Sequence, residues 1–254
     1  MSSATQSVFQ SLLSIASDKG SAFLVLVDPD KVTPQGVPKI VEMCAEAGVD
    51  AFLVGGSLTF SSRLDELLQS MKRASRVPVV LFPGNACQVA PGADAILFIS
   101  LLTSRNAEFL IGEQVKAAPL IRQWSLEVIP TAYLLVEAGP LTSVQFVTQC
   151  LPIPRGKNDL AVAHALAGKY LGMKLIYLEA GSGAAQPVPH TMVEDVCSAT
   201  SLPVIVGGGV RTAGQAGKLA RAGASFVVVG SVVEEGGDVS LLKEISSAVH
   251  FMKR

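Results

Sequence analysis

Pro203-Val-Ile-Val-Gly-Gly-Gly209 and Phe226-Val-Val-Val-Gly-Ser231 repeat one pattern: a short aliphatic run that stops at glycine. Between them Ala213–Ala222 carries apolar residues at three- and four-residue spacing, as an amphipathic helix does. A strand, a helix and a second strand in that order make a parallel pair with a right-handed crossover. Upstream, Tyr177-Leu-Glu-Ala-Gly-Ser-Gly183 ends a third such run. Backbone N–H groups at glycine turns, together with the positive end of a following helix, form an anion pocket. Three of them at successive strand ends fit a phosphate. Glu179 lies within the first, where a carboxylate is out of place beside a phosphate unless it has chemistry to do. The pairing points to an enzyme acting on a phosphorylated small molecule.

Outward from this stretch the same order continues. Apolar runs recur at Ala22–Val27, Ala51–Val54, Val79–Phe82, Ala95–Ile99, Val128–Val136 and Leu175–Leu178, and with the two above they make eight. Helical spacing fills Gly36–Ala47, Ser62–Ala74, Asn106–Ala117, Asp159–Leu171, Thr191–Thr200 and Val239–Met252, and Ser7–Ala16 reads as a leading helix. The pattern predicts one (β/α)₈ TIM barrel over residues 1–254. An open doubly wound sheet is the alternative, disfavoured because no Gly-x-Gly-x-x-Gly follows the first strand. Pro83–Asp94 is too short and too rich in Pro and Gly for a crossover helix, so the third outer helix is expected to be missing or replaced by a loop. Such a gap admits a long hydrophobic ligand. The Pro-rich connection Glu137–Lys157 is expected to fold over the barrel mouth.

Composition narrows the class further. Charged residues are only 16% and the net charge is −1, without a basic cluster, which argues against nucleic acid. Mean hydropathy is +0.45, which calls for buried parallel strands plus an apolar ligand channel or a subunit interface. No apolar run approaches the roughly 20 residues that span a bilayer, and the N-terminus lacks a basic secretory start. A cytoplasmic homo-oligomer is the expectation. Cys44, Cys87, Cys150 and Cys197 are far apart, form no Cys-x-x-Cys, and read as buried free thiols.

Other strand ends carry further candidates. Asp28-Pro29-Asp30 closes the first run, and two carboxylates there suit Mg²⁺, a hard cation. Ser57 offers a hydroxyl on the same rim. Asp-Pro is also an ordinary turn signal. Asn106 reads as a cap or an anion contact, His164 and His190 as surface or capping residues, and Trp124 as a loop residue in a core or interface.

These stretches together resemble the geranylgeranylglyceryl phosphate synthases. The resemblance is carried by Val25-Leu-Val-Asp-Pro-Asp-Lys31, Phe52-Leu-Val-Gly-Gly-Ser57, Leu81-Phe-Pro-Gly-Asn85, Leu101-Leu-Thr-Ser-Arg-Asn106, Ile129-Pro-Thr-Ala-Tyr133, Tyr177–Gly183, Val206-Gly-Gly-Gly-Val-Arg211 and Val229-Gly-Ser231. Thr103 departs from the family pattern, which more often has Asn there. The resemblance implies transfer of a prenyl group from a prenyl diphosphate, geranylgeranyl diphosphate by name, to sn-glycerol 1-phosphate, the first ether bond of archaeal-type lipids. It implies that Tyr177, Leu178, Glu179, Ala180, Gly181, Ser182, Gly183, Gly208, Gly209, Gly230 and Ser231 hold glycerol phosphate. Asp28 and Ser57 would hold Mg²⁺, and Glu179 would accept the hydroxyl proton or orient the hydroxyl. It further implies a dimer or hexamer and an amphiphilic product that brings transient contact with a membrane surface. Two other readings remain at this point: an isomerase or cyclase on a similar phosphate-binding barrel, and a non-catalytic lipid or phosphate binder.

Overall fold

Each apolar run forms the strand expected of it, within two residues at either end. The computed structural model describes residues 7–230 and 238–252. Its strands are β1 (Ala22–Val27), β2 (Ala51–Val54), β3 (Val79–Leu81), β4 (Ala95–Leu101), β5 (Glu127–Leu135), β6 (Leu175–Glu179), β7 (Val204–Gly207) and β8 (Phe226–Val229). All pairs are parallel in sequence order, and β8 pairs back onto β1 through Leu24↔Val228, so the barrel is closed. The helices are α1 (Val8–Lys19), α2 (Val37–Glu46), α3 (Leu64–Ala74), α4 (Glu113–Trp124), α5 (Ser143–Thr148), α6 (Asn158–Tyr170), α7 (His190–Thr200), α8 (Ala213–Arg221) and α9 (Val239–Val249). No described helix is long and apolar enough to cross a membrane.

Strand alternation builds two apolar layers. Leu24, Leu53, Leu97, Ile129, Ile205 and Phe226 point inward and fill the barrel. Their neighbours, such as Val25, Phe52, Ile96, Ile176 and Val206, point outward and pack under the helices. Helix α1 closes the lower end of the barrel with Leu12 and Ala16, and the β5 residue Glu127 caps it by accepting from Val8 N at 2.6 Å and Phe9 N at 2.9 Å.

Between β3 and β4 there is no α-helix, only a 3₁₀ turn at Ala86–Gln88, as the Pro/Gly content predicts. Other local readings change. Helix α4 continues through Pro119 to Trp124 instead of stopping at Ala117, and a π-helical turn at Glu108–Gly112 precedes it. Pro119 is exposed, so water can take the carbonyl that it leaves unbonded. Trp124 therefore ends a helix and packs on the core rather than sitting in a loop. Of the thiols Cys44 and Cys150 are buried as expected, but Cys87 lies exposed on the helix-free segment and Cys197 is half-buried.

A buried carboxylate holds the lower end together. Asp50 is 5% exposed and accepts from Lys19 Nζ at 2.6 Å, Phe23 N at 2.8 Å and His250 Nε2 at 2.7 Å. One side chain thus joins the ends of α1 and α9 to β1. Burial alone would raise its pKa, but the hydrogen bonds from His250, Lys19 and Phe23 hold it below the ordinary range. Its stabilising contribution is therefore present above the ordinary carboxylate pKa and lost as the pH falls through the lower folded value. Asp50→Ala should cost about 3 kcal/mol of unfolding free energy at pH 7, read by urea denaturation, because it leaves the Phe23 amide, the Lys19 ammonium and the His250 ring without their common acceptor. A cost under about 0.5 kcal/mol, the size of an ordinary surface substitution, would show that the ends of the chain are held by apolar packing alone.

Candidate active site

The upper end of the barrel, where strands give way to helices, holds a cavity of about 620 Å³, within the ~300–1,000 Å³ typical of small-molecule sites. It is polar at the mouth. There it meets the glycine turns at Gly181–Gly183 and Gly208–Gly209, with Gly230, Asp28 and Ser57 on the same rim. Deeper it turns apolar and borders both faces of β4, Leu97 and Ile99 from inside and Ile96 and Phe98 from outside. The helix-free segment and α4 close its far side with Ala86, Val89 and Ala117.

Glu179 stands where the two halves meet. It is the last residue of β6 rather than part of the turn beyond it, and strand alternation aims it into the cavity together with Tyr177. The carboxylate is 6% exposed and accepts from Gly181 N at 2.5 Å. No cation pairs with it among the described residues, so burial pushes its pKa up to about 7, against smaller lowering by Gly181 N and Tyr177. Tyr177 Oη lies close enough for that influence, yet its geometry falls short of a hydrogen bond and leaves a buried hydroxyl unpartnered. The Tyr177 ring stacks on Phe82 with centroids 4.9 Å apart, and Tyr133 leans on both.

Neighbouring turns are shaped around this carboxylate. Gly208 has φ +81, and a Cβ there would run into Glu179 Oε1 and Gly181 N. Gly181 has φ +96, and its Cβ would meet Thr142 at 2.6 Å, so the connection over the mouth packs directly on the first turn. That connection, predicted as a cover, contributes Leu141, Thr142, Val144 and Phe146 to the cavity.

Not every predicted residue reaches the site. Leu178 and Ala180 point outward into the core beneath the helices, because they alternate with Tyr177 and Glu179; only their backbone lies near the cavity. Ser231 lies outside the described residues. Asp30 faces away from the cavity: its carboxylate accepts from Phe60 N at 2.9 Å and Ser61 N at 2.7 Å, so it shapes the β2–α3 loop and leaves Asp28 as the single acidic group of that pair at the site. The N-terminus of α8 is closed by Thr212 and Gln215 in a reciprocal box, and α7 begins only at His190, seven residues beyond Gly183. Sequence reasoning missed Thr142 and Glu113 at the cavity edge, and Gln88, which holds the lining residues Gly56 and Gly84. Each sits in or beside an irregular segment whose path no periodicity specifies.

The PcrB family profile matches residues 14–249. The chain belongs to the PcrB family. It is 44% identical over 229 residues to a geranylgeranylglyceryl phosphate synthase from Chitinophaga pinensis, covering 90% of each chain. It is 45% identical over 223 residues to one from Pyrococcus furiosus, covering 87% of this chain and 88% of that one. The crystal structure of (S)-3-O-geranylgeranylglyceryl phosphate synthase from Thermoplasma acidophilum, in complex with its substrate sn-glycerol-1-phosphate, superposes with a TM-score of 0.92 at 37% identity. That match covers 98% of this chain and 100% of the other.

In this PcrB-family chain the raised pKa of Glu179 has a measurable consequence. A carboxyl that titrates higher when folded supports stability below its ordinary pKa of 4.5 and loses that support as the pH rises through about 7. Glu179→Gln, which keeps the shape without the charge, should match wild type near pH 4 and exceed it by up to about 3 kcal/mol at pH 8. The check is unfolding free energy against pH for both proteins. A constant difference across that range would place the carboxylate in contact with solvent.

Proposed function

We propose that this protein is a prenyltransferase that joins geranylgeranyl diphosphate to sn-glycerol 1-phosphate through an ether bond and releases diphosphate. The observation that carries the reading is Glu179: an unpaired buried carboxylate set between glycine turns and an apolar cavity. The glycerol hydroxyl oxygen bonds to C1 of the prenyl group, the C1–O bond to diphosphate breaks, and the hydroxyl proton passes to Glu179. A pKa of about 7 suits a general base near neutral pH. In the turns at Gly181–Gly183 and Gly208–Gly209 the amides of Ser182, Gly183, Gly208 and Gly209, with that of Gly230, would hold the phosphate, and Ser231 would complete that set. The apolar depth takes the prenyl chain, and the cover at Leu141–Phe146 keeps water from the reacting carbon.

Mg²⁺ suits the donors present. Among the described residues there is no cluster of three acidic, His or Cys side chains, so no all-protein cage exists. Mg²⁺ does not need one, since it keeps waters and binds through one or two carboxylates plus substrate phosphate. Asp28 and Ser57 line the same mouth and would hold it. When bound it neutralises the charge of the departing diphosphate. The same reading carries a cytoplasmic homo-oligomer, dimer or hexamer, whose amphiphilic product brings it into transient contact with a membrane surface. The exposed apolar side chains at the mouth, among them Phe60, Leu141 and Phe146, support that contact or a subunit interface.

Purified protein with Mg²⁺, labelled sn-glycerol 1-phosphate and geranylgeranyl diphosphate should give butanol-extractable label, and the sn-3 enantiomer should not. No product with any prenyl donor would return the chain to the wider class of phosphate-binding barrels. Asp28→Ala should lower Mg²⁺-dependent kcat/KM roughly hundredfold with the thermal transition unchanged; retained activity at ordinary Mg²⁺ removes Asp28 from the metal. Glu179→Gln should keep glycerol phosphate binding and lose a factor of roughly 10²–10⁴ in kcat, whereas a near-native rate reduces Glu179 to an orienting group.

A further inference from the structure

Where the third outer helix is missing, residues 83–93 form the side wall of the cavity, and two side chains hold that wall in place. Gln88, 4% exposed, pins it to the end of β2: its Oε1 accepts from Gly56 N and Gly84 N, both at 3.2 Å, and its Nε2 donates to Gly56 O at 2.8 Å. On the opposite side Ala86 N donates to Glu113 Oε2 at 2.5 Å. That bond is the polar link between the segment and α4 among the described residues. The other Glu113 oxygen takes Lys116 Nζ at 3.0 Å, and Lys116 also pairs with Glu108.

The surroundings make a carboxylate here unexpected. Glu113 lines the same cavity as the apolar Ala86, Val89, Ile96, Phe98 and Ala117. Burial raises its pKa, but the bonds from Ala86 N and Lys116 outweigh that and hold it below the ordinary range, so it stays ionised in the wall. A charge beside an apolar channel costs free energy unless it is fully paired, and this one is paired to the one backbone amide that fixes the wall's distance from α4. Apolar packing alone would let the segment and α4 move apart, since a 3₁₀ turn of three residues brings little area of its own.

We propose that Glu113 is the specificity-determining latch of the prenyl channel: by clamping Ala86 to α4 it sets how far an apolar chain can run between the helix-free segment and the outer face of β4. This rests on the prenyltransferase reading for the identity of the chain, and on the geometry alone for the clamp.

Two variants separate the latch from a merely structural bond. Glu113→Gln keeps an acceptor for Ala86 N but loses the charge and the Lys116 pairing; Glu113→Ala removes both. Amide hydrogen exchange of substrate-free protein should show Ala86 exchanging roughly tenfold faster in Glu113→Ala, as loss of one hydrogen bond implies, with Glu113→Gln between the two. Chain-length selectivity is then read by turnover of farnesyl, geranylgeranyl and longer polyprenyl diphosphates, and by calorimetric binding of their unreactive thiodiphosphate analogues. The ratio of long-chain to short-chain kcat/KM, and of the matching affinities, should rise in Glu113→Ala and less in Glu113→Gln. Unchanged exchange at Ala86 overturns the clamp. Faster exchange with an unchanged chain-length ratio overturns its role in specificity. Wild type that binds the analogues with a length preference that shifts in Glu113→Ala, yet turns over no donor, sustains the latch and sinks the transferase reading.

Discussion

A carboxylate buried without a cation governs the upper end of this barrel. Glu179 lies at a strand end with no positive partner among the described residues, and its pKa rises to about 7 as a result. That arrangement decides the residues around it. Gly208 must lack a Cβ because the carboxylate fills that space, and Gly181 must bend its amide back to donate to it. Two of these glycines are therefore shaped by the carboxylate they surround.

The second constraint is the gap in the outer ring. Eight strands close the barrel, but only seven are followed by an α-helix within the described residues. The β3–β4 segment lays no helix of its own against the outer face of β4, so the cavity can border both sides of one strand. This converts a defect in packing into a channel, and it accounts for part of a mean hydropathy of +0.45, high for a chain whose described helices span no membrane. The wall that remains joins side-chain hydrogen bonds from Gln88 and Glu113 to the packing of Val89 and Ala90 in the core.

What the sequence made readable follows from where periodicity exists. The strands, the missing helix and the glycine turns at Gly181–Gly183 and Gly208–Gly209 are local patterns and stand as read, while the turn that begins at Gly230 runs beyond the described residues. Alternation was available for Leu178 and Ala180 as well: once Tyr177 and Glu179 face inward, their neighbours must face the helices. The motif named them only because it is continuous in sequence. Asp30 misled for a different reason. It is a carboxylate at a strand end, but its partners Phe60 N and Ser61 N lie in another loop, and no local rule couples the two. Glu113, Thr142 and Asp50 share that property. Each acts on a segment distant in sequence, so the chemistry that gives them purpose exists only after the barrel closes.

The two ends of the barrel carry opposite electrostatic signs of stability. At the lower end Asp50 is buried with three donors, and folding lowers its pKa. At the upper end Glu179 is buried with one backbone donor, and folding raises its pKa. By linkage, the first favours the folded state as the pH rises past the carboxylate range, while the second opposes it as the pH rises toward neutrality. The contacts that Asp50 makes thus help to offset the cost of a carboxylate buried without a cation at the other face. The same separation is general to this fold, where the lower face answers to stability and the upper to activity. Here it follows from two carboxylates of the same chemistry, distinguished only by which backbone and side-chain donors the barrel brings to them.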